Sequence, residues 1–320
     1  MALDILSMIL IVIGLSLFET VSSVDNAVIN AEVLRTMSAK ARRWFLVWGI
    51  LFAVFIVRGL LPWLIIWFTT PSLGFIGSLT ATFSSDPIVV EAIEKSAPVL
   101  LMGGGVFLLF LFFHWLFLEP KIYGLHAEKF FHRQGVWFYA VVSILLAALV
   151  WFSLKINPVM AFGAVVGSTA FFITHGFKQN AEKAEHEMMH GKESLSDWSK
   201  ILYLEVIDTT FSIDGVLGAF AFTLAIPLIL LGNGLGAVVV RQLTVGNIER
   251  VKKYKYLKNG AMYSVLGLGV VMTADAFGVH VPHWLTPVLT FAILGYFFWR
   301  SKRELEGDKQ EMGALGIPHE

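Results

Sequence analysis

Two stretches decide how this chain reads: Glu19-Thr20-Val21-Ser22-Ser23-Val24-Asp25-Asn26-Ala27-Val28 and Asp208-Thr209-Thr210-Phe211-Ser212-Ile213-Asp214-Gly215-Val216-Leu217. Laid together they match without a gap. Each opens on an acid followed by Thr, places Ser four residues after that acid, and continues with an aliphatic residue and then Asp. Both lie inside long apolar runs, where a charged side chain at the bilayer centre costs about 2.5 to 3.5 kcal/mol on insertion scales. Acids kept at that cost need a partner or a function.

The surrounding sequence supports a bilayer setting. Of 320 residues, 56% are apolar, 15% are charged and none is cysteine, and the mean hydropathy is +0.71. Soluble domains carry roughly 25% charged residues, so this chain has too few charges to cover a water-soluble fold of its size. The formal net charge of zero argues against the broad basic footprint of a nucleic-acid binder. Without cysteine, neither a disulfide framework nor a thiolate metal site is possible.

A spanning helix needs about 20 largely apolar residues, and nine runs qualify, near residues 4–30, 44–68, 98–117, 136–154, 158–175, 201–222, 226–245, 260–276 and 284–299. The expected fold is an all-α polytopic membrane bundle of about nine spans. One transmembrane domain covers 1–300, with a tight hairpin over 136–175, a polar cytoplasmic loop at 176–200 and a short polar tail at 301–320. No Lys or Arg precedes the first apolar run, so that run is expected to stay as a span rather than leave as a signal peptide. Lys and Arg gather in 35–43, 118–134, 176–200, 246–258 and the tail, whereas the opposite side carries Lys95 and Lys155. The positive-inside rule then predicts an outside N-terminus and a cytoplasmic C-terminus.

The repeat extends beyond the acids. Arg58 lies in the run after the first motif and Arg241 in the run after the second. Spans one and six are five crossings apart, an odd number, so the two halves, about 1–117 and 201–299, would run in opposite directions. Inverted-topology repeats of this kind characterise secondary transporters whose sites sit near the midplane. Six residues at about 100° each put the two acids of one motif some 120° apart on a straight helix. They share a site only if the helix unwinds, which Gly215 would ease in the second copy, or if another helix closes over them.

If ionised, Glu19, Asp25, Glu205, Asp208 and Asp214 outnumber Arg58 and Arg241 by three charges, an imbalance suited to a cation. The donors are carboxylates, the Asn26 amide and the Ser23 and Ser212 hydroxyls, all oxygen ligands that suit hard ions such as manganese, magnesium or calcium. The expected metal set is therefore Glu19, Ser23, Asn26, Asp25, Asp208, Ser212 and Asp214, with Glu205 nearer the cytoplasmic end. Protons are the natural coupling partner, since carboxylates that release a divalent ion must regain positive charge. The plainer alternative is that the acids pair with Arg58 and Arg241 to hold the bundle together.

Taken together, these residues resemble the TerC/Alx family of integral membrane proteins, within the LysE-like exporter group. The first motif matches in Glu19, Ser23, Asp25 and Asn26. The later one matches in Glu205, Asp208, Phe211, Asp214 and Gly215, then Phe222, Thr223, Asn233 and Arg241. The resemblance implies manganese efflux from the cytoplasm, with the acids of both motifs as ion ligands; the expected location is the bacterial cytoplasmic membrane, and no resident cofactor is expected. Tellurite resistance, also linked to the family by name, fits the acids poorly because carboxylates repel an oxyanion. The segments 69–97 and 176–200 depart from the family pattern.

His186-Glu187-Met188-Met189-His190 competes for attention because it satisfies the zinc-protease pattern. It lies in a polar loop with no evident third ligand, which favours chance over a zinc hydrolase. A membrane assembly or stress-response subunit without transport is the other rival. Gly103-Gly104-Gly105 fits close helix contact rather than phosphate binding, and nothing indicates a nucleotide.

Overall fold

A computed structural model of the chain describes residues 5–49, 51–52, 58–81, 87–190, 196–246 and 248–314. Among these residues the structure is helical and contains no strand, as the apolar runs require: a backbone in hydrocarbon must satisfy its own hydrogen bonds. The helices are α1 (Ile5–Ser22), α2 (Val24–Arg35), α3 (Ala39–Trp44), α4 (Leu61–Thr69), α5 (Gly74–Ala81), α6 (Pro87–Phe117), α7 (His126–Arg133), α8 (Phe138–Ile156), α9 (Pro158–His190), α10 (Asp197–Ala219), α11 (Ile226–Gly246), α12 (Ile248–Lys252), α13 (Leu257–Ala276) and α14 (Leu285–Ala314).

Among the described residues, five helical stretches are long and apolar enough to cross a bilayer: Ile5–Ser22, Glu94–Phe117, Gly135–Ile156, Pro158–Asn180 and Ile226–Thr244. Arg58–Thr69 and Pro71–Ser78, bent by 100° at their junction, make a sixth if they count as one span. Helices also cover most of 201–222, 260–276 and 284–299, where spans are expected, but α10, α13 and α14 fall short of that apolarity. Their polar residues, among them Asp208, Asn259, Ser264 and Thr290, are buried inside the bundle rather than turned to lipid.

Helix α6 is the hub, packed against α9 on one side and α13 on the other, while α1 lies along α11. Small residues set these approaches. A Cβ on Gly163 would lie 2.6 Å from the Val99 carbonyl oxygen, and one on Gly105 would lie 2.6 Å from Thr273 Oγ1. The glycines of the third apolar run thus serve close helix contact, the expected packing device within a membrane. The α8–α9 hairpin also follows its sequence: Asn157 Oδ1 accepts from the Val159 amide at 2.9 Å, and Pro158 starts α9, where its missing N–H costs nothing.

Two polar segments are more helical than the sequence reading allows. Helix α9 continues to His190, so 176–190 extends a spanning helix instead of forming a loop, and α14 continues to Ala314 through the expected tail. Both extensions are rich in Ala, Glu, Lys and Gln, residues of high helix propensity that prolong a helix already nucleated in the bundle. The side chains of His186, Glu187 and His190 lie outside the described residues.

Candidate functional site

The first motif sits where α1 passes into α2. The break is one residue wide: Ser23 has φ −90° and ψ 7°, yet its amide still donates to the Glu19 carbonyl at 3.1 Å and its carbonyl accepts from Ala27 at 2.9 Å. The Thr20 hydroxyl donates back to the Ser16 carbonyl at 2.7 Å, a pattern that bends helices. The second motif lies on α10, which runs unbroken through Gly215. Gly215 therefore does not unwind its helix. Its role is space: a Cβ there would overlap Glu19 Oε2, and a Cβ on Gly236 of α11 would lie 2.6 Å from Glu19 Cβ.

Glu19 is consequently clamped between two glycines and is 1% exposed. Its Oε1 accepts from Ser23 Oγ at 3.0 Å and from Arg58 Nη2. Arg58 is 2% exposed, and its Nη1 lies 3.9 Å from Asp208 Oδ2. Asn26 Nδ2 donates to Asp208 Oδ1 at 2.5 Å. The first acids of the two motifs, Glu19 and Asp208, thus stand on either side of one guanidinium. Glu19 Oε2 and Asn26 Oδ1 are buried without a hydrogen-bond partner among the described residues.

Beside this cluster lies a cavity of about 20 Å³, bordered by Asn30, Arg58, Asp208, Val240, Arg241 and Thr244, enough for about one water. Arg241 places its guanidinium 4.0 Å from the ring centre of Phe45. Glu205 attracts Arg241 electrostatically, and both side chains press on Gly49, where a Cβ would overlap Glu205 Oε1 and lie 2.9 Å from Arg241 Nη2. Both Glu205 carboxylate oxygens are buried without a hydrogen-bond partner among the described residues.

Not every expected ligand is in this cluster. Asp214 borders a separate cavity of about 50 Å³ together with Ser22, Glu119, Lys178 and Lys258. The continuous α10 keeps Asp208 and Asp214 on different faces, as their six-residue spacing dictates. The Ser212 hydroxyl donates to the Asp208 carbonyl at 2.5 Å, an intrahelical bond that occupies its proton. The Asp25 side chain lies outside the described residues. Among the described residues, no three His, Asp or Glu side chains are grouped so as to hold a metal ion.

The family described as "Protein of unknown function (DUF475)" matches residues 24–306, which take in Asn26, Arg58, Asp208 and Arg241. The chain belongs to this family. Over 86 residues this DUF475 protein is 28% identical to the uncharacterized membrane protein YceF of Bacillus subtilis (strain 168), a match covering 27% of this chain and 34% of that one. Over 137 residues it is 23% identical to the UPF0053 inner membrane protein YoaE of Escherichia coli (strain K12), covering 42% of this chain and 26% of the relative. The chain therefore matches only about a third and about a quarter of those relatives' own lengths. No solved structure matches. Relatives named as membrane proteins and the apolar helices agree that this DUF475 protein is an integral membrane protein.

Several members of the DUF475 cluster have weak sequence signals. Asn30 follows Asn26 by one helical turn and is a polar residue in an apolar run, a signal that was available. Phe45, Gly49 and Gly236 look like ordinary lipid-span residues, and only their neighbours give them a role.

Proposed function

We propose that this DUF475 protein is a secondary transporter for a hard divalent cation, with manganese export as the substrate and direction that the TerC/Alx resemblance implies. The supporting observation is the position of Arg58, hydrogen-bonded to Glu19 and 3.9 Å from Asp208. A guanidinium does not lose its proton in proteins, so here it acts as a fixed cation between two carboxylates. A metal ion that reaches Glu19, Asn26 and Asp208 must compete with it. The unpartnered Glu19 Oε2 and Asn26 Oδ1 are oxygen donors of the type hard ions take. Ion entry would release Arg58 from Glu19 and ion exit would restore the pair, giving two arrangements of one buried cluster on which alternating access can operate. Protons are the proposed coupling ion.

The test is flux in vesicles reconstituted with purified protein, read by a manganese-sensitive dye under an imposed pH gradient. Wild type should move manganese, while Glu19→Gln and Asp208→Asn, incorporated to the same level, should lose most of the flux. Wild type that moves no divalent cation under either gradient direction would overturn the transport reading.

One observation favours a second reading. The acids are already engaged by arginines and amides, and no metal-holding group of three occurs among the described residues. On that reading the cluster is a structural lock in a membrane assembly subunit without transport. Stability loss in Glu19→Gln with no flux in any form of the protein would support it.

A further inference from the structure

Residues 39–49, helix α3 and the π-helical turn that continues it, present two faces of opposite character. Ala41, Phe45 and Gly49 recur every fourth residue and are buried, with Phe45 under the Arg241 guanidinium and Gly49 against Glu205. On the other face Lys40, Arg43, Trp44, Val47 and Trp48 are exposed and line a groove of about 520 Å³. Trp48 is 56% and Val47 53% exposed. Trp198 from α10 stands edge-on to Trp44, with ring centres 5.1 Å apart. Among the described residues, neither Lys40 nor Arg43 has an ion-pair partner.

The order along the groove is informative. Two cations come first, then an indole, an aliphatic side chain and a second indole, with exposed Leu51 and Phe52 continuing the apolar line. Indoles favour the level of lipid headgroups, and Lys and Arg keep their charge at the polar edge while their stems lie along apolar surface. A helix that merely faced acyl chains would need neither cation. A soluble anion would gain nothing from a floor of Trp44, Val47 and Trp48. An amphiphile with an anionic head and an apolar body matches both ends.

We infer that this groove binds an anionic phospholipid, its phosphate headgroup held by Lys40 and Arg43 and its glycerol and upper acyl chains lying on Trp44, Val47 and Trp48. The site is on the side to which the Lys and Arg distribution assigns the cytoplasm, where anionic lipids attract basic segments. It stands whether or not the protein transports a cation. Because the same segment carries Phe45 and Gly49 on its inner face, a lipid seated outside also steadies the element that covers Arg241 and Glu205.

The experiment uses the purified full chain in mild detergent, titrated with brominated phosphatidylglycerol or with brominated phosphatidylcholine of identical acyl chains, and reads quenching of tryptophan fluorescence. Wild type should bind the phosphatidylglycerol more tightly. Lys40→Gln/Arg43→Gln should weaken that binding about thirtyfold, corresponding to about 1 kcal/mol for each cation near a membrane surface, and bring it close to the phosphatidylcholine value. Lys40→Arg/Arg43→Lys should keep the preference, and Trp44→Phe/Trp48→Phe should remove the phosphatidylglycerol-selective part of the quenching. Should the glutamine variant fail to fold by circular dichroism, the tryptophan pair decides the matter. Equal quenching by the two lipids in wild type, an undiminished preference in the folded glutamine variant, or displacement of the lipid by millimolar inorganic phosphate would each overturn the inference.

Discussion

Arg58 donates a hydrogen bond to the carboxylate of Glu19, and both side chains are almost wholly shut away from solvent. Breaking a buried pair from one side leaves the other charge uncompensated, which costs about 3 to 5 kcal/mol, whereas replacing both partners by neutral groups is far less damaging. Arg58→Met is therefore expected to lower the thermal midpoint in detergent sharply. The double variant Glu19→Gln/Arg58→Met should recover most of the loss. Equal losses in the single and double variants would mean that the pair contributes nothing beyond packing.

The glycines around Glu19 are required for space. Gly215→Ala puts a methyl group into Glu19 Oε2, and overpacking of this kind costs about 1 to 3 kcal/mol. Gly295, within α14, has open space where a Cβ would sit, with nothing within 4 Å, so Gly295→Ala should stabilise by about 0.5 to 1 kcal/mol through helix propensity. Opposite signs of the two midpoint shifts are the expected result, and a neutral Gly215→Ala would contradict the close approach of α10 to α1.

The sequence offers Asn26 as an oxygen donor of the site and Ser212 as a secondary one, and the structure separates them further. Asn26 holds Asp208 directly at 2.5 Å, and a hydrogen bond to a charged group contributes about 1.5 to 3 kcal/mol. Ser212 is turned to its own helix backbone. Asn26→Ala should reduce both stability and vesicle flux, while Ser212→Ala should leave flux near wild type. A flux loss in Ser212→Ala as deep as that in Asn26→Ala would show that the hydroxyl leaves its backbone carbonyl during the cycle.

Glu119 and Lys258 join the exit of α6 to the start of α13. Burial pushes the Glu119 carboxyl up, but Lys258 and Lys178 pull it down further, so its pKa lies below the ordinary 4.5. A carboxyl depressed in the folded state contributes stability that is complete above its unfolded pKa and is lost as pH falls through the folded value. The wild-type midpoint should fall on acidification below about pH 4.5, and Glu119→Gln should flatten that limb. Midpoint scans from about pH 7 to about pH 3 distinguish the two.

The helical class and the places of the long apolar helices were legible because periodicity and length report them without reference to neighbours. So was the pairing of acids with arginines, since charges inside apolar runs must find partners. Less legible was which partner each would find. Arg58 answers to Glu19 on its own half of the chain and also stands near Asp208 on the other. Asp214, matched in sequence to Asp25, faces Lys178 and Glu119 across a different cavity. Gly215 reads as a hinge in one dimension and proves to be the floor beneath a carboxylate in three.

By itself, the sequence determined that this chain is an α-helical integral membrane protein carrying two copies of an acidic motif, because hydropathy and spacing are properties of a single strand of residues. The tertiary structure alone decided which acids meet. Crossing helices bring together side chains far apart in the chain, and a continuous α10 turns Asp208 and Asp214 to different faces. Where Glu19, Asn26, Arg58 and Asp208 converge, the low dielectric makes each pairing obligatory. That convergence depends on the close approach that Gly215 and Gly236 allow.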